Sequence, residues 1–182
     1  MFVSGALWLV FVAYWGAAAQ HAARPERTES RASRRFHERL LNSGLLVLLL
    51  PIPGLRGRFL PAAVIVAVAG IAIQVLAGML AVWARRHLGR NWSGAISVVE
   101  GHRLVRSGPY RLLRHPIYTA MLGMSAGTAL ASGEWHAIVG MALVVAAYWR
   151  KIRLEERHLG QLFGEAYDDY RRASWALIPG LF

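Results

Sequence analysis

Two short polar stretches interrupt an otherwise apolar chain, and both carry side chains that could bind a charged ligand. The first stretch contains Arg114, His115, Pro116 and Tyr118. Proline fits the first turn of a helix, where its missing N–H costs nothing, so we expect a helix to begin at Pro116 with His115 at or near its N-cap. The free N–H groups of that turn, next to an arginine, would suit an anion.

The second stretch carries two adjacent carboxylates, Glu155 and Glu156, on a predicted helix. Adjacent residues on a helix point in different directions, so one carboxylate could face a ligand while the other pairs with an arginine. The spacings of Lys151 to Glu155 and of Arg153 to Glu156 also suit ordinary ion pairs on the helix surface, and spacing alone favours the ion pairs over a ligand site. An anion site beside a carboxylate would bind a zwitterion that carries an α-carboxylate and an α-amino group.

Composition excludes several other kinds of site. The 182-residue chain contains no cysteine, which excludes disulfides, thiolate zinc sites and cysteine nucleophiles. Its seven histidines are scattered without an HExxH pattern, so we expect no metal. A net charge of +11 would suit nucleic acid. Because the positive residues lie between apolar segments of membrane length, we interpret them as orientation signals and expect no nucleic-acid partner.

The polar stretches must be positioned by apolar helices, because 55% of the residues are hydrophobic, above the roughly 45–50% that is usual in soluble domains. Five apolar segments are candidate membrane crossings: Met1–Gln20, Leu40–Leu55, Phe59–Ala84, Pro116–Ala131 and Trp135–Trp149. At about 1.5 Å per residue, the first and third cross a hydrocarbon core of about 30 Å, whereas the other three are short. We expect a tight hairpin between the last two, and a continuation of the fifth helix into the charged stretch that follows it.

Positive charge alternates between the predicted loops. Residues 24–39 carry six arginines, residues 85–115 carry seven, and residues 150–172 carry six positive residues, whereas the 132–134 turn carries none. By the positive-inside rule, this pattern predicts an all-α integral membrane protein with five transmembrane helices, an outside N-terminus and a cytosolic C-terminal helical segment. The first segment has no positive residue ahead of it, which favours an uncleaved helix over a signal peptide.

The chain is predicted to be a single compact unit of two portions. Residues 1–84 would form an N-terminal three-helix membrane portion, and residues 85–182 a catalytic portion. Within the membrane helices, Gly123 and Gly127 have the spacing that lets a neighbouring helix approach closely. Gln74, a polar residue in the third segment, is expected to form an interhelical hydrogen bond.

The order of these motifs resembles the isoprenylcysteine carboxyl methyltransferase and phospholipid methyltransferase family. The similarity covers residues 85–182 and rests on the following residues: Gly108-Pro109-Tyr110, Arg114-His115-Pro116, Tyr118, Glu155-Glu156, Phe163-Gly164, Tyr167 and Tyr170. It implies a non-Rossmann membrane enzyme that uses S-adenosylmethionine, with S-adenosylhomocysteine as the product. The C-terminal segment would close the cofactor pocket, and a lipid or prenylated small-molecule substrate would enter from the bilayer.

The resemblance also implies roles for individual residues. Three are the candidate catalytic residues: Arg114, which would hold an anionic substrate group, His115 and Glu156. The candidate cofactor-binding residues are His102, Leu104, Val105, Gly108, Tyr110, His115, Pro116, Tyr118, Glu155 and Glu156. The methyl acceptor could be the carboxylate of an isoprenylcysteine-type molecule or the amine of a lipid head group, and the sequence leaves both open.

Two other functions are compatible with part of the pattern. Membrane sterol reductases share an RHP-like motif and bind NADPH, but they tend to be longer and lack the pair of adjacent glutamates. A non-enzymatic membrane scaffold would not require a dense polar cluster at one end of the helices. The short loops suggest, by analogy, a location in a prokaryotic inner membrane.

Overall fold

The computed structural model describes residues 2–20, 26–27, 29–55, 57–89, 97–98 and 104–180. Within them the chain forms the elements α1 (Phe2–Ala19), β1 (Glu26–Arg27), α2 (Arg31–Leu49), α3 (Val64–Leu88), β2 (Ser97–Val98), α4 (Pro116–Ser132), α5 (Trp135–Phe163) and α6 (Glu165–Arg172). The two strands have two residues each and pair antiparallel. The structure is otherwise helical, as the sequence predicted.

Helices α3 and α4 run antiparallel, and their backbones approach each other very closely. A Cβ atom placed on Gly70 of α3 would stand 2.5 Å from the carbonyl oxygen of Gly127 on α4, and one on Gly123 would stand 2.9 Å from the Cβ of Ala77. Only glycine permits such an approach of two backbones. The predicted role of Gly123 and Gly127 in close helix packing is confirmed.

Helix α1 is attached to this pair by polar contacts within the apolar core. The indole Nε1 of Trp8 donates a hydrogen bond to Thr128 Oγ1 of α4 at 3.0 Å. Gln74 Nε2 of α3 donates to the carbonyl of Ser4 at 3.0 Å, and Gln74 is 1% exposed. The expected interhelical hydrogen bond of Gln74 is therefore confirmed, with α1 as the partner helix.

Helix α2 packs antiparallel against α5, but its bounds differ from the prediction. It begins at Arg31 rather than Leu40, because Ser30 caps it by accepting a hydrogen bond from the Ser33 N–H at 3.2 Å. It ends at Leu49, just before the proline-containing stretch from residue 51. The predicted helical segment Leu40–Leu55 is thus wrong at both ends, because hydropathy marks an apolar run and not the limits of a helix.

Helices α4 and α5 form the expected hairpin. Helix α4 begins at Pro116, as predicted, and ends at Ser132, where Gly133, with a φ of 65°, gives the left-handed cap that glycine favours. Helix α5 then runs to Phe163, which confirms that it continues into the charged stretch. Helices α1 and α3 are long and apolar enough to cross a membrane. The third predicted segment, Phe59–Ala84, corresponds to α3 with its start moved to Val64.

After α6 the chain returns to the beginning of α4. The N–H of Arg114 donates to the carbonyl of Trp175 at 2.8 Å, and the N–H of His115 donates to Ala176 at 3.1 Å. Thr119 Oγ1, one turn into α4, donates to the carbonyl of Leu177 at 2.8 Å. Residues 165–180, which we name the C-terminal segment, therefore cover the start of α4.

Candidate active site

His115 lies at the centre of the polar cluster and is 6% exposed. It is the N-cap residue of α4, but its side chain makes no capping hydrogen bond. Its ring instead turns toward α5, with Nδ1 3.6 Å from Glu155 Oε2 and Nε2 3.4 Å from Glu156 Oε1. The ring stacks on Tyr118 at a centroid distance of 5.5 Å and an interplanar angle of 10°. One imidazole therefore contacts both carboxylates.

The guanidinium group of Arg114 forms hydrogen bonds both to Glu156 and to the C-terminal segment. Its Nε donates to Glu156 Oε1 at 2.7 Å. Its Nη1 donates to the carbonyl of Arg171 at 3.1 Å and also to the carbonyl of Ser174. The planar guanidinium suits such simultaneous contacts. Arg114 thus positions a carboxylate and the covering segment together.

The pKa of Glu156 reflects two opposing effects. Burial tends to raise it, but the adjacent His115 ring and the Arg114 guanidinium outweigh burial and lower the pKa to about 2. The carboxylate is therefore ionised throughout the physiological range, which is the state that an ammonium group would require.

Glu155 is held by partners on two helices. The hydroxyl of Tyr118 donates to its Oε1 at 2.5 Å, and Lys151 Nζ lies 3.8 Å from the same oxygen. The Tyr118 ring also lies 4.8 Å from the Tyr148 ring of α5. Both glutamates are thus restrained, and both keep side-chain exposures near one fifth.

A 3₁₀ turn at Gly108–Arg111 adds Tyr110 to the cluster. Gly108 has a φ of 58°, and a Cβ there would stand 2.7 Å from the ring of His87, so the turn requires glycine at this position. Tyr170 of α6 fixes the turn by donating from its hydroxyl to the Tyr110 carbonyl at 2.6 Å. Burial raises the pKa of Tyr170 to about 12 and that of Tyr110 further still, so both phenols are neutral donors.

The cluster has unused hydrogen-bonding capacity. Three buried polar atoms, Tyr110 Oη, His115 Nε2 and Tyr167 Oη, form no hydrogen bond within the part of the chain that the structure describes. A buried polar atom left without a partner costs about 1–3 kcal/mol, so a polar ligand would relieve this cost. Together with two restrained carboxylates, these atoms fit a polar ligand that carries an ammonium group.

The structure brings together most of the residues that the sequence singled out. Arg114, His115, Tyr118, Glu155 and Glu156 are in mutual contact. Val105 and Tyr118 pack against the buried group of Ala84, Tyr110 and Ile117. Pro116 is fully buried, Leu104 is half-buried beside Val105, and Gly108 opens the 3₁₀ turn. His102 lies outside the described residues.

The structure changes one of the two predicted ion pairs and confirms the other. Glu156 pairs with Arg114 and not with Arg153, whose guanidinium lies over the Trp149 ring at 4.8 Å. The predicted Lys151–Glu155 pair is present. Arg114 has Nε and Nη1 bound within the protein, and it also lines a cavity of about 310 Å³ with Asp168, Arg171 and Arg172.

Some residues and backbone groups of the site could not be recognised from the sequence. His87 packs against the 3₁₀ turn, and no motif marked it. Tyr167 was part of the family pattern but was given no role, although its hydroxyl is one of the unpartnered buried atoms. The carbonyl groups of Arg171 and Ser174 hold Arg114, and backbone acceptors leave no trace in residue types.

The profile of the phospholipid methyltransferase family matches residues 65–166, which is more than half of the chain and includes the paired glutamates. The chain belongs to the phospholipid methyltransferase family. Curated proteins with similar sequences carry several different names. Protein-S-isoprenylcysteine O-methyltransferase B of Arabidopsis thaliana is 32% identical over 113 residues, which are 60% of this chain and 57% of that protein.

A bacterial relative is named as a metal-resistance protein and not as a methyltransferase. The cobalt-zinc-cadmium resistance protein CzcN of Cupriavidus metallidurans is 36% identical over 107 residues, which are 57% of this chain and 48% of that protein. This chain therefore spans about half the length of the curated relatives that it matches.

A solved structure shares the fold. The eukaryotic intramembrane Ras methyltransferase, isoprenylcysteine carboxyl methyltransferase, superposes with a TM-score of 0.58 at 21% identity. The match covers 85% of this chain and 55% of the other. The fold is therefore that of a helical membrane protein.

Proposed function

We propose that this protein is a membrane-embedded, S-adenosylmethionine-dependent methyltransferase whose acceptor is the carboxylate of a prenylcysteine-type amphiphile. One observation carries the proposal: His115, Glu155 and Glu156 form one cluster beneath the C-terminal segment, in a chain from a methyltransferase family. The same cluster has two restrained carboxylates, of which Glu156 is held ionised, and the unpartnered polar atoms that a zwitterionic adenosyl cofactor would use.

The residues of the cluster would bind the cofactor in a defined orientation. S-adenosylmethionine, when bound, would supply an electrophilic methyl group on a positively charged sulfur. Glu155 and Glu156 would accept hydrogen bonds from its α-amino group, and Tyr110 and Tyr167 would offer their hydroxyls to its polar atoms. Arg114 acts as a positioning residue, because it holds Glu156 and the C-terminal segment in place.

The contacts that His115 and Tyr118 already make with the glutamates favour a carboxylate as the methyl acceptor. A carboxylate is ionised near pH 7 and needs no base, whereas an amine must first lose a proton. Both ring nitrogens of His115 face glutamates, and the hydroxyl of Tyr118 is already donated to Glu155. The chain would therefore contribute orientation and exclusion of water more than proton transfer.

The arrangement in the membrane follows from the charge pattern. We propose five crossings with the N-terminus outside and the candidate active site at the cytosolic end, where nearly all the positive residues lie. An amphiphilic substrate would keep its prenyl chain in the bilayer and present its carboxylate at the level of the start of α4.

The proposal is tested by following a labelled methyl group. Protein in nanodiscs is incubated with methyl-tritiated S-adenosylmethionine and one of three acceptors: N-acetyl-S-farnesylcysteine, its carboxamide, or phosphatidylethanolamine. We expect label only in the first, as an ester that releases tritiated methanol in alkali. Label in phosphatidylethanolamine alone would show that the methyl acceptor is an amine and not a carboxylate. The absence of label from all three acceptors would contradict the proposed function.

A further inference from the structure

The C-terminal segment exposes apolar side chains that a protein surface in water would bury. Trp175 is 43% exposed and Ile178 is 50% exposed. Leu112, whose carbonyl accepts a hydrogen bond from the Trp175 N–H at 3.0 Å, is 52% exposed. Tryptophan beside aliphatic residues is typical of the boundary between membrane and water.

Basic side chains precede Trp175 and Ile178 in the chain. Arg171 and Arg172, which precede Trp175 closely in the chain, have side-chain exposures of 52% and 72%. Their ion pairs with Asp168 and Asp169 are at the surface, where such pairs contribute little. Both arginines therefore remain available to an external anion.

The same arginines line the cavity of about 310 Å³ together with Arg114 and Asp168. Three guanidinium groups and one carboxylate line the cavity, and the carboxylates that pair with Arg114 and Arg172, those of Glu156 and Asp169, are not part of the lining. A planar guanidinium binds phosphate through two parallel hydrogen bonds. The charge of the cavity is thus complementary to an anion of about the size of a phosphate-bearing head group.

The segment lies along the start of α4, one of the five proposed membrane crossings. Trp175 pairs with Arg114, just before α4, and Leu177 pairs with Thr119, one turn inside it. The segment therefore runs along the first turn of a helix that enters the apolar part of the molecule.

We infer that the exposed side chains of Leu112, Arg171, Arg172, Trp175 and Ile178 form a docking surface for the head groups of anionic phospholipids. Arg171 and Arg172 bind the phosphates, while Trp175, Ile178 and Leu112 insert among the upper acyl chains. This docking surface lies in the leaflet next to the candidate active site, and its cavity shares Arg114 with the cluster around His115.

Docking also affects the candidate active site, a consequence that rests on the proposed function. Arg114 Nη1 is bound by the carbonyls of Arg171 and Ser174, and Arg114 Nε is bound to Glu156. A lipid that holds the C-terminal segment down therefore also holds Glu156 in its binding position. Anionic lipid and cofactor should each increase the affinity for the other, because such coupling is reciprocal.

The test is hydrogen–deuterium exchange of the C-terminal segment in nanodiscs, without cofactor. Nanodiscs of phosphatidylcholine alone are compared with nanodiscs that also contain phosphatidylglycerol. We expect amides of residues 165–180 to exchange at least roughly fivefold more slowly with phosphatidylglycerol, since one arginine at an anionic surface contributes about that factor. The double variant Arg171→Gln/Arg172→Gln should lose this protection, whereas Arg153→Gln/Arg157→Gln, which removes two charges from α5, should keep it.

Three results would overturn the inference. Equal exchange of the wild-type segment in the two lipid mixtures would do so whether or not the variants fold. Equal loss of protection in both double variants would show a general charge effect. Protection by glycerol 3-phosphate added to phosphatidylcholine nanodiscs would assign the cavity to a soluble phosphate. None of these readouts involves methyl transfer, so they are independent of the proposed function.

Discussion

At the residue scale, the account depends on how His115 and Arg114 hold the two glutamates. Glu156 is bound by Arg114 at 2.7 Å and approached by His115 at 3.4 Å, and its side chain is only 17% exposed. Removing one partner of such a pair leaves the other charge buried and is strongly destabilising. Glu156 therefore contributes to folding as well as to the proposed binding of an ammonium group.

The pKa of Glu156 gives a pH dependence of stability. Its pKa falls from the usual 4.5 to about 2 on folding, so the ionised form stabilises the fold above the unfolded-state pKa and this contribution is lost as pH falls toward about 2. Thermal unfolding in detergent should show Glu156→Gln to be less stable than wild type by about 2–3 kcal/mol near pH 7.

The difference between wild type and Glu156→Gln should stay constant down to about pH 5 and shrink below about pH 4. Glu165→Gln, which changes an exposed carboxylate at the start of α6, serves as the control and should lie close to wild type throughout. A difference that does not shrink as the pH falls below about 4 would contradict the assignment of a depressed pKa to Glu156.

At the element scale, the close contact of α3 and α4 positions the start of α4. Gly70 and Gly127 bring the two helices together at one end. Toward the other end, Ala84 of α3 packs with Ile117 of α4 and Tyr110 of the 3₁₀ turn, directly beside His115. A separation of the helices would therefore be transmitted to the polar cluster.

Two alanine substitutions on α3 test this contact. At Gly70 a new Cβ would meet the backbone of Gly127 and Ala131 at 2.5 Å, so Gly70→Ala should destabilise the protein by at least about 1–3 kcal/mol. At Gly78 the nearest atom to a new Cβ is Met124 Sδ at 3.9 Å, so Gly78→Ala should be neutral or slightly stabilising. Melting temperatures in the same detergent compare the two, and equal values would show that the contact does not support the fold.

At the scale of the whole molecule, the sequence predicted the helical architecture, the α4–α5 hairpin and the charged extension of α5. These features depend on apolar runs and on turn residues such as Gly133, which act locally. The start of α2 was missed because its first turns are rich in arginine, which forms helices well although it is polar. A hydropathy pattern does not separate a polar helical turn from a loop.

The candidate site was predicted in composition but not in its pairing. The RHP motif and the adjacent glutamates were recognised from residue types and from a family resemblance. The partner of Glu156 was wrong because Arg114, which is distant in sequence, reaches it with better geometry than Arg153 on the same helix. Contacts of this kind, and the carbonyl groups that hold Arg114, depend on the path of the C-terminal segment.

The central claim is that the cluster of His115, Glu155 and Glu156 binds the adenosyl cofactor, and calorimetric titration with S-adenosylhomocysteine tests it most directly. Wild-type protein in nanodiscs should bind one equivalent, and Glu155→Gln should weaken binding by about tenfold or more, since a hydrogen bond to a charged group contributes about 1.5–3 kcal/mol. The control variant Glu165→Gln should bind like wild type. Unchanged affinity in Glu155→Gln, or no binding by the wild-type protein, would contradict the assignment of this cluster as the cofactor site.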